Sequence, residues 1–182
     1  MAQLVALLRG INLAKSRRIA MADLRALLEE QGFEAVRTHL QSGNVVLASD
    51  DAPDAVAAAI AAAIEERAGM SVDVVVRTAD ELAAVVAANP LAGVASDGAR
   101  HVVAFLRNEP DAAALRALAE EDFGPERFEA RGREIYAWCP NGLQKSPLLK
   151  AIGARLGKAP QTATVRNWNT VTKLAAMADE DR

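Results

Sequence analysis

The stretch 35-AVRTHLQSGNVVLA-48 places two strand-like runs, Ala35–Leu40 and Asn44–Ala48, on either side of Gln41-Ser42-Gly43. The runs carry the valine and threonine that pleated strands favour. The Ser-Gly pair between them is turn chemistry, so the segment reads as two strands with a hairpin-like connection. On its N-terminal side, Met21, Leu24, Leu27 and Leu28 recur at helical spacing and Gly32 follows as a stop signal. A short apolar run, Leu4–Leu8, precedes that helix. On its C-terminal side, Asp54 to Ala68 sets Val56, Ile60 and Ile64 on one helical face, and Val72–Arg77 reads as a strand. The order is β-α-β-β-α-β.

Downstream, Thr78-Ala79-Asp80-Glu81 has the form of a capping box opening a helix that stops at Asn89-Pro90. The segment from Leu91 to Arg100 reads as a linker. The first order of elements then returns: a strand at His101–Leu106, a helix from Asp111 to Glu121, and strands at Arg127–Ala130 and Glu134–Trp138. Ser146-Pro147 opens the next helix as N-cap and first residue, and Gln161–Val165 is a short strand. A last helix starts near Asn167. The expected fold is therefore α+β: two tandem ferredoxin-like (βαββαβ) units with antiparallel sheets, plus a linking helix and a C-terminal helix. The expected boundaries are 1–77, 78–100 and 101–182.

The usual strand order of such a unit, 4-1-3-2, has a spatial consequence. The loop after its first strand and the turn between its second and third share one end of the sheet. The loop after its third strand and the exit of its fourth share the other. In the first half, the former pair is "RGINLAKSRR", with Arg9, Lys15, Arg17 and Arg18 and no acid, and "QSGN". In the second half, the latter pair is "CPNGLQKS" and "VRNWNT". From Asn141 to Lys173 the chain holds six basic residues (Lys145, Lys150, Arg155, Lys158, Arg166 and Lys173) and no acidic one, in a protein whose formal charge is −3. Glycines admit close backbone approach, helix N-termini attract anions, and arginine and lysine neutralise them, so both pairs suit phosphate or carboxylate. The bland reading is that Asn167 caps a helix, Trp168 is core, Arg166 pairs with an acid and QSGN is only a turn.

The motifs "LLRGIN", "M-x-x-LR-x-x-LE", "GFE-x-V-x-T-x-LQSGNVV" and "T-x-RNWNT" make the chain resemble the bacterial domain-of-unknown-function family 1697, in order from Leu7 to Leu174. The resemblance implies an α+β fold of two ferredoxin-like units and no particular activity. It implies motif residues at Arg9, Gly10, Asn12, Gln41, Ser42, Gly43 and Asn44. Later motif residues are Asn141, Gly142, Ser146, Arg166, Asn167, Trp168, Asn169 and Thr170. The chain departs from the family pattern at Ala14 and Lys15, where a glycine pair is expected; a close-approach loop is exchanged there for added charge.

Half of the 182 residues are apolar, 51%, and 25% are charged, as in ordinary globular chains. With a pI near 5.5 the chain as a whole does not attract nucleic acid. The single cysteine, Cys139, excludes an internal disulfide and a cysteine-rich metal site; with no histidine near it in sequence, it reads as a small buried residue. The N-terminal run reads as a strand rather than a signal peptide, and the longest apolar stretch is too short to span a bilayer, so the expectation is a cytoplasmic protein without a membrane partner. His39 and His101 read as half-buried strand residues rather than general bases. Asp50, Asp51 and Asp54 read as helix caps and dipole partners rather than ligands of a divalent ion. Aromatic residues are 4% of the chain, which counts against a base-stacking sheet. No zinc, phosphate-loop or dinucleotide spacing occurs, so no metal and no cofactor is expected, and no catalytic residue is identifiable. The leading expectation is binding of a phosphate-bearing, nucleotide-like small molecule through Arg9, Gly10, Asn12, Lys15, Gln41, Ser42, Gly43, Asn44, Asn141, Gly142, Lys145, Ser146, Arg166, Asn167, Trp168, Asn169, Thr170 and Lys173. Nucleic-acid binding, a protein-interaction role and an enzyme acting on a phosphorylated metabolite rank behind it.

Overall fold

The computed structural model describes residues 1–12, 15, 18–158 and 161–180. They divide into two compact units, Met1–Ala84 with Lys173–Arg182, and Val85–Thr172. The first unit contains β1 (Ala2–Arg9), α1 (Met21–Glu30), β2 (Glu34–His39), β3 (Asn44–Ser49), α2 (Pro53–Ala68) and β4 (Asp73–Thr78). Its sheet has the order β2-β3-β1-β4, with antiparallel pairing throughout.

The period-2 pattern of β1 decides where the core sits. Leu4, Ala6 and Leu8 face the helices and join Leu24, Leu28, Ile60 and Ile64 in one buried cluster, while Val5 and Leu7 are buried on the opposite face. A strand buried on both faces must be apolar along its length, as LVALL is. Each large side chain so buried contributes about 1.5–3 kcal/mol. Thr78 and Glu81 form the expected reciprocal cap of α3 (Ala79–Ala88): Thr78 N donates to Glu81 Oε2 at 2.8 Å and Glu81 N to Thr78 Oγ1 at 3.1 Å.

The second unit repeats the plan with β5 (His101–Leu106), α4 (Ala112–Ala119), β6 (Arg127–Arg131), β7 (Glu134–Trp138), α5 (Pro147–Leu156) and β8 (Ala163–Asn167). The sheet order is β6-β7-β5-β8. Val102, Ala104, Leu106, Ile135, Ala137 and Cys139 pack with Leu118, Leu148 and Ile152 of the helices. Cys139 is thus buried in the core, as its isolation in sequence implied, and burial pushes its thiol pKa up. α6 (Trp168–Asp179) closes the fold, and Arg37 of β2 holds its far end through Glu180 at 3.0 Å and the carbonyl of Met177.

Three expectations need correction. β8 runs to Asn167 rather than stopping at Val165, because Arg166 and Asn167 pair with Val103 and Val102. The aspartates after β3 do not cap α2, whose N-cap is Ala52 without a side-chain bond; Asp54 sits in the first turn as a dipole partner, Ser49 Oγ accepts from Asp51 N at 3.1 Å, and Asp50 pairs with the N-terminal amine at 3.3 Å. His101 is 1% exposed rather than half-buried. Tyr136 and Trp138 are both buried, so neither offers a stacking surface. Among the described residues, no helix is long and apolar enough to cross a membrane.

Candidate functional site

In the first unit the two loops expected at one sheet end do meet there. The side chain of Asn12 makes the join. Its Oδ1 accepts from Ile19 N at 2.9 Å, and its Nδ2 donates to Ile19 O at 3.0 Å and to Gln41 O at 2.7 Å. One carboxamide therefore closes the β1–α1 loop on itself and fastens it to the β2–β3 turn. Asn12 does so from φ 57°, a left-handed conformation asparagine tolerates better than most residues. The turn is held from beneath by Asn44, fully buried, whose Nδ2 donates to His39 O at 2.8 Å and Ser42 Oγ at 3.0 Å. Leu8 N donates to Gly43 O at 2.9 Å, bringing the turn against β1.

Gly10, Asn12, Leu40 and Gly43 of this double loop all have positive φ; the glycines adopt it freely and asparagine tolerates it, but Leu40 does not, and it is 58% exposed as well. An exposed leucine in the left-handed region is a costly arrangement of the sort that clusters at ligand sites. Gln41 and Ser42 of the turn, and Lys15 and Arg18 of the β1–α1 segment, are exposed. Arg9 sits at the strand end, 3.7 Å from Asp73. The expectations placed on Ala14 and Arg17 fall outside the described residues.

Helix starts separate this region from the rest. Among the described residues, Asp111 caps α4, Ser146 caps α5, Asn167 caps α6 through Thr170 N at 2.9 Å, and the capping box closes α3. Only α1 and α2 begin without a side-chain cap, at Ala20 and Ala52. Asp50 and Asp51 precede α2 and Asp54 lies in its first turn; α1 follows exposed Arg18 in the chain and has Asp23 in its first turn.

The second polar cluster divides. Ser146 lies on the helix side of its sheet. Its Oγ accepts from Leu149 N at 3.0 Å and donates to Glu126 Oε2 at 2.9 Å, which also accepts from Leu148 N at 2.9 Å. The start of α5 thus already holds an anion, the carboxylate of Glu126. Sequence offered no signal for that role, since Glu126 lies 20 positions away from Ser146 in an ordinary loop.

Arg166 lies on the other face. It is buried, donates to Thr164 Oγ1 at 2.8 Å and Val165 O at 2.9 Å, and burial lowers its pKa to about 10. Trp168 stacks on His101, with ring centroids 4.6 Å apart and planes 17° from parallel. Tyr136 donates to Val85 O at 2.8 Å; burial first, then Glu134, raises its pKa to about 12. Asn169 packs against Gly98, and Thr170 is buried. Asn141, Lys145 and Lys173 are exposed, and Gly142 turns the β7–α5 loop at φ 99°. Arg77, 1% exposed in β4, is a second buried guanidinium that the sequence reading passed over as the end of a strand.

His101 makes one pH dependence predictable. Its Nε2 is buried and has no hydrogen-bond partner among the described residues, and burial lowers its pKa below 6.5. The unfolded chain therefore takes up a proton before the native one does, and stability falls as pH drops below the unfolded value. Denaturation midpoints between pH 7.5 and 5.5 are expected to fall more steeply for the native sequence than for His101→Phe; parallel curves would contradict this.

The fold and these sites define an α+β protein of two ferredoxin-like units with a built double loop at one end of the first. The chain belongs to the family described as protein of unknown function (DUF1697), whose pattern matches residues 1–136. Its fold is also that of a solved conserved bacterial protein from Streptococcus pneumoniae, at 22% identity and a TM-score of 0.77, over 98% of this chain and 99% of that one. No functionally curated protein matches.

Proposed function

We propose that the protein binds a small anionic, phosphate-bearing ligand at the double loop of the first unit. The observation that carries this reading is the Asn12 clasp: it holds the β1–α1 loop and the β2–β3 turn together beside the uncapped start of α1. The backbone N–H groups of a helix start carry partial positive charge. Lys15 and Arg18 add full charges, while Gln41 and Ser42 supply neutral polar groups for orientation. Arg9 is discounted because Asp73 faces it. Arg166, Asn167 and Ser146 fit their structural roles better than a ligand role, which leaves Lys15 and Arg18 as the charges of this reading.

Thermal unfolding at fixed ionic strength, against inorganic phosphate, pyrophosphate, mono- and trinucleotides and phosphorylated sugars, tests the reading. A ligand at about 100 times its Kd adds roughly 2.7 kcal/mol, on the order of 5–10 °C in a chain of this size. The shift should vanish in Arg18→Ala with Lys15→Ala and persist in Lys145→Ala. No shift from any anion, or one indifferent to both loop changes, would sink it.

A further inference from the structure

Trp168, the first residue of α6, makes two contacts that meet at the head of β5. Its ring stacks on His101, and its N–H donates to Gly98 O at 3.1 Å, in the segment leading into β5. Gly98 also packs against the Asn169 carboxamide. His101 itself is 1% exposed, and its Nε2 has no hydrogen-bond partner among the described residues. The ligand site of the first unit makes no use of it.

The groups around the ring decide which of its forms fits. Register partners in an antiparallel ladder share a face, so β7 presents Trp138 beside His101 and Tyr136 beyond it, with Glu134 at the far end opposite Phe105. β8 presents Arg166, opposite Val103. β6 adds Arg127 in the row of Trp138, and Glu129, which pairs with Arg131 at 3.7 Å. α3 reaches Tyr136 through the uncharged carbonyl of Val85. In α6 the next charge after Trp168 is the exposed Lys173. In the preceding segment Asp97 pairs with Arg100 at 3.5 Å and accepts from Ala99 N at 2.9 Å. Asp97 and Glu129 thus already hold arginines, and Arg166 adds like charge. A neutral imidazole can leave Nε2 as an unfilled lone pair, whereas a protonated one makes both nitrogens donors and buries an N–H without an acceptor. The Trp168 ring face attracts a cation but accepts neither N–H of a ring stacked 17° from parallel to it.

We propose that His101 is an acid-sensitive latch on the start of α6: on protonation the imidazole leaves the Trp168 stack, and the Trp168 N–H parts from Gly98 O while the sheet stays paired. The start of α6 gives way first because, among the described residues, one backbone bond ties it to the segment before β5, whereas β5 is held by ladders to both β7 and β8. Burial lowers the pKa of the closed form below 6.5, so the open form binds the proton more tightly. Its population therefore rises by up to about tenfold per pH unit as pH falls below that value.

Amide hydrogen exchange of the full chain at about pH 7 and about pH 5.5, corrected for intrinsic rates, tests the latch. Protection of the Trp168 amide is expected to fall at least about threefold, while the β5 amides paired with β7 keep theirs. In His101→Phe, which stacks and takes up no proton, protection at Trp168 should not change with pH. Equal losses at Trp168 and in β5 would mean global unfolding and overturn the proposal. So would pH-independent protection in the native chain, or an unaltered pH response in His101→Phe. If His101→Phe does not fold, His101→Gln takes its place: a lost pH response supports the latch and a retained one overturns it.

Discussion

Gly43→Ala is expected to destabilise the first unit by about 2–4 kcal/mol, whereas Gly10→Ala, in the partner loop, costs only about 1 kcal/mol. Both glycines have positive φ, 83° and 73°, so the backbone strain of adding a Cβ is similar. They differ in what that Cβ would meet. At Gly43 it would lie 2.7 Å from Ile11 Cδ1 and 2.8 Å from Leu8 Cβ; at Gly10 nothing lies within 4 Å. Ile11 can change rotamer, but Leu8 Cβ is fixed to the central strand, so relief requires the turn to move off β1. The difference between the two variants, read from denaturant midpoints at constant m-value, isolates that packing contribution. Equal costs would show that the turn is not seated on β1 as described.

Asn44→Asp is expected to cost about 3–5 kcal/mol at pH 7, more than its near-identical shape suggests. The native carboxamide donates to His39 O and Ser42 Oγ from a fully buried position. An ionised aspartate has no donor, would oppose the His39 carbonyl, and would be a charge removed from water. Its native pKa would rise above the unfolded carboxylate value. The penalty is therefore full above the native pKa and relieved as pH falls through it, when the protonated acid regains one donor. Stability of the variant should accordingly recover toward the native sequence on acidification. A pH-independent cost would mean that His39 O and Ser42 Oγ had found other donors.

The element order was legible because it rests on local periodicity. His101–Leu106 and Glu134–Trp138 could be placed to the residue, since apolar runs bounded by turn chemistry leave little choice of ends. The meeting of the two loops in the first unit followed from strand order alone, and the Asn12 bond to Gln41 realises it. What stayed hidden depends on tertiary partners. "VRNWNT" reads as polar, yet Arg166 lies inside β8 with its charge buried on the face opposite α5. A guanidinium's burial is set by what covers it, which no local window contains. Glu126 is the same case in reverse: it looks like a surface acid and serves as the anion at the start of α5. Its presence removes that helix start from the set of open anion sites, leaving the uncapped start of α1.

Backbone amide chemical shifts, followed during titration with inorganic phosphate and then with a mononucleotide, test the ligand site most directly. The expected result is saturable change confined to amides of residues 10–23 and 40–44, including the first turn of α1, and abolished by Arg18→Ala with Lys15→Ala. Saturable change centred instead on residues 141–147 or 166–173, or no saturable change with any anion, would contradict the assignment of function to the Asn12-clasped loops.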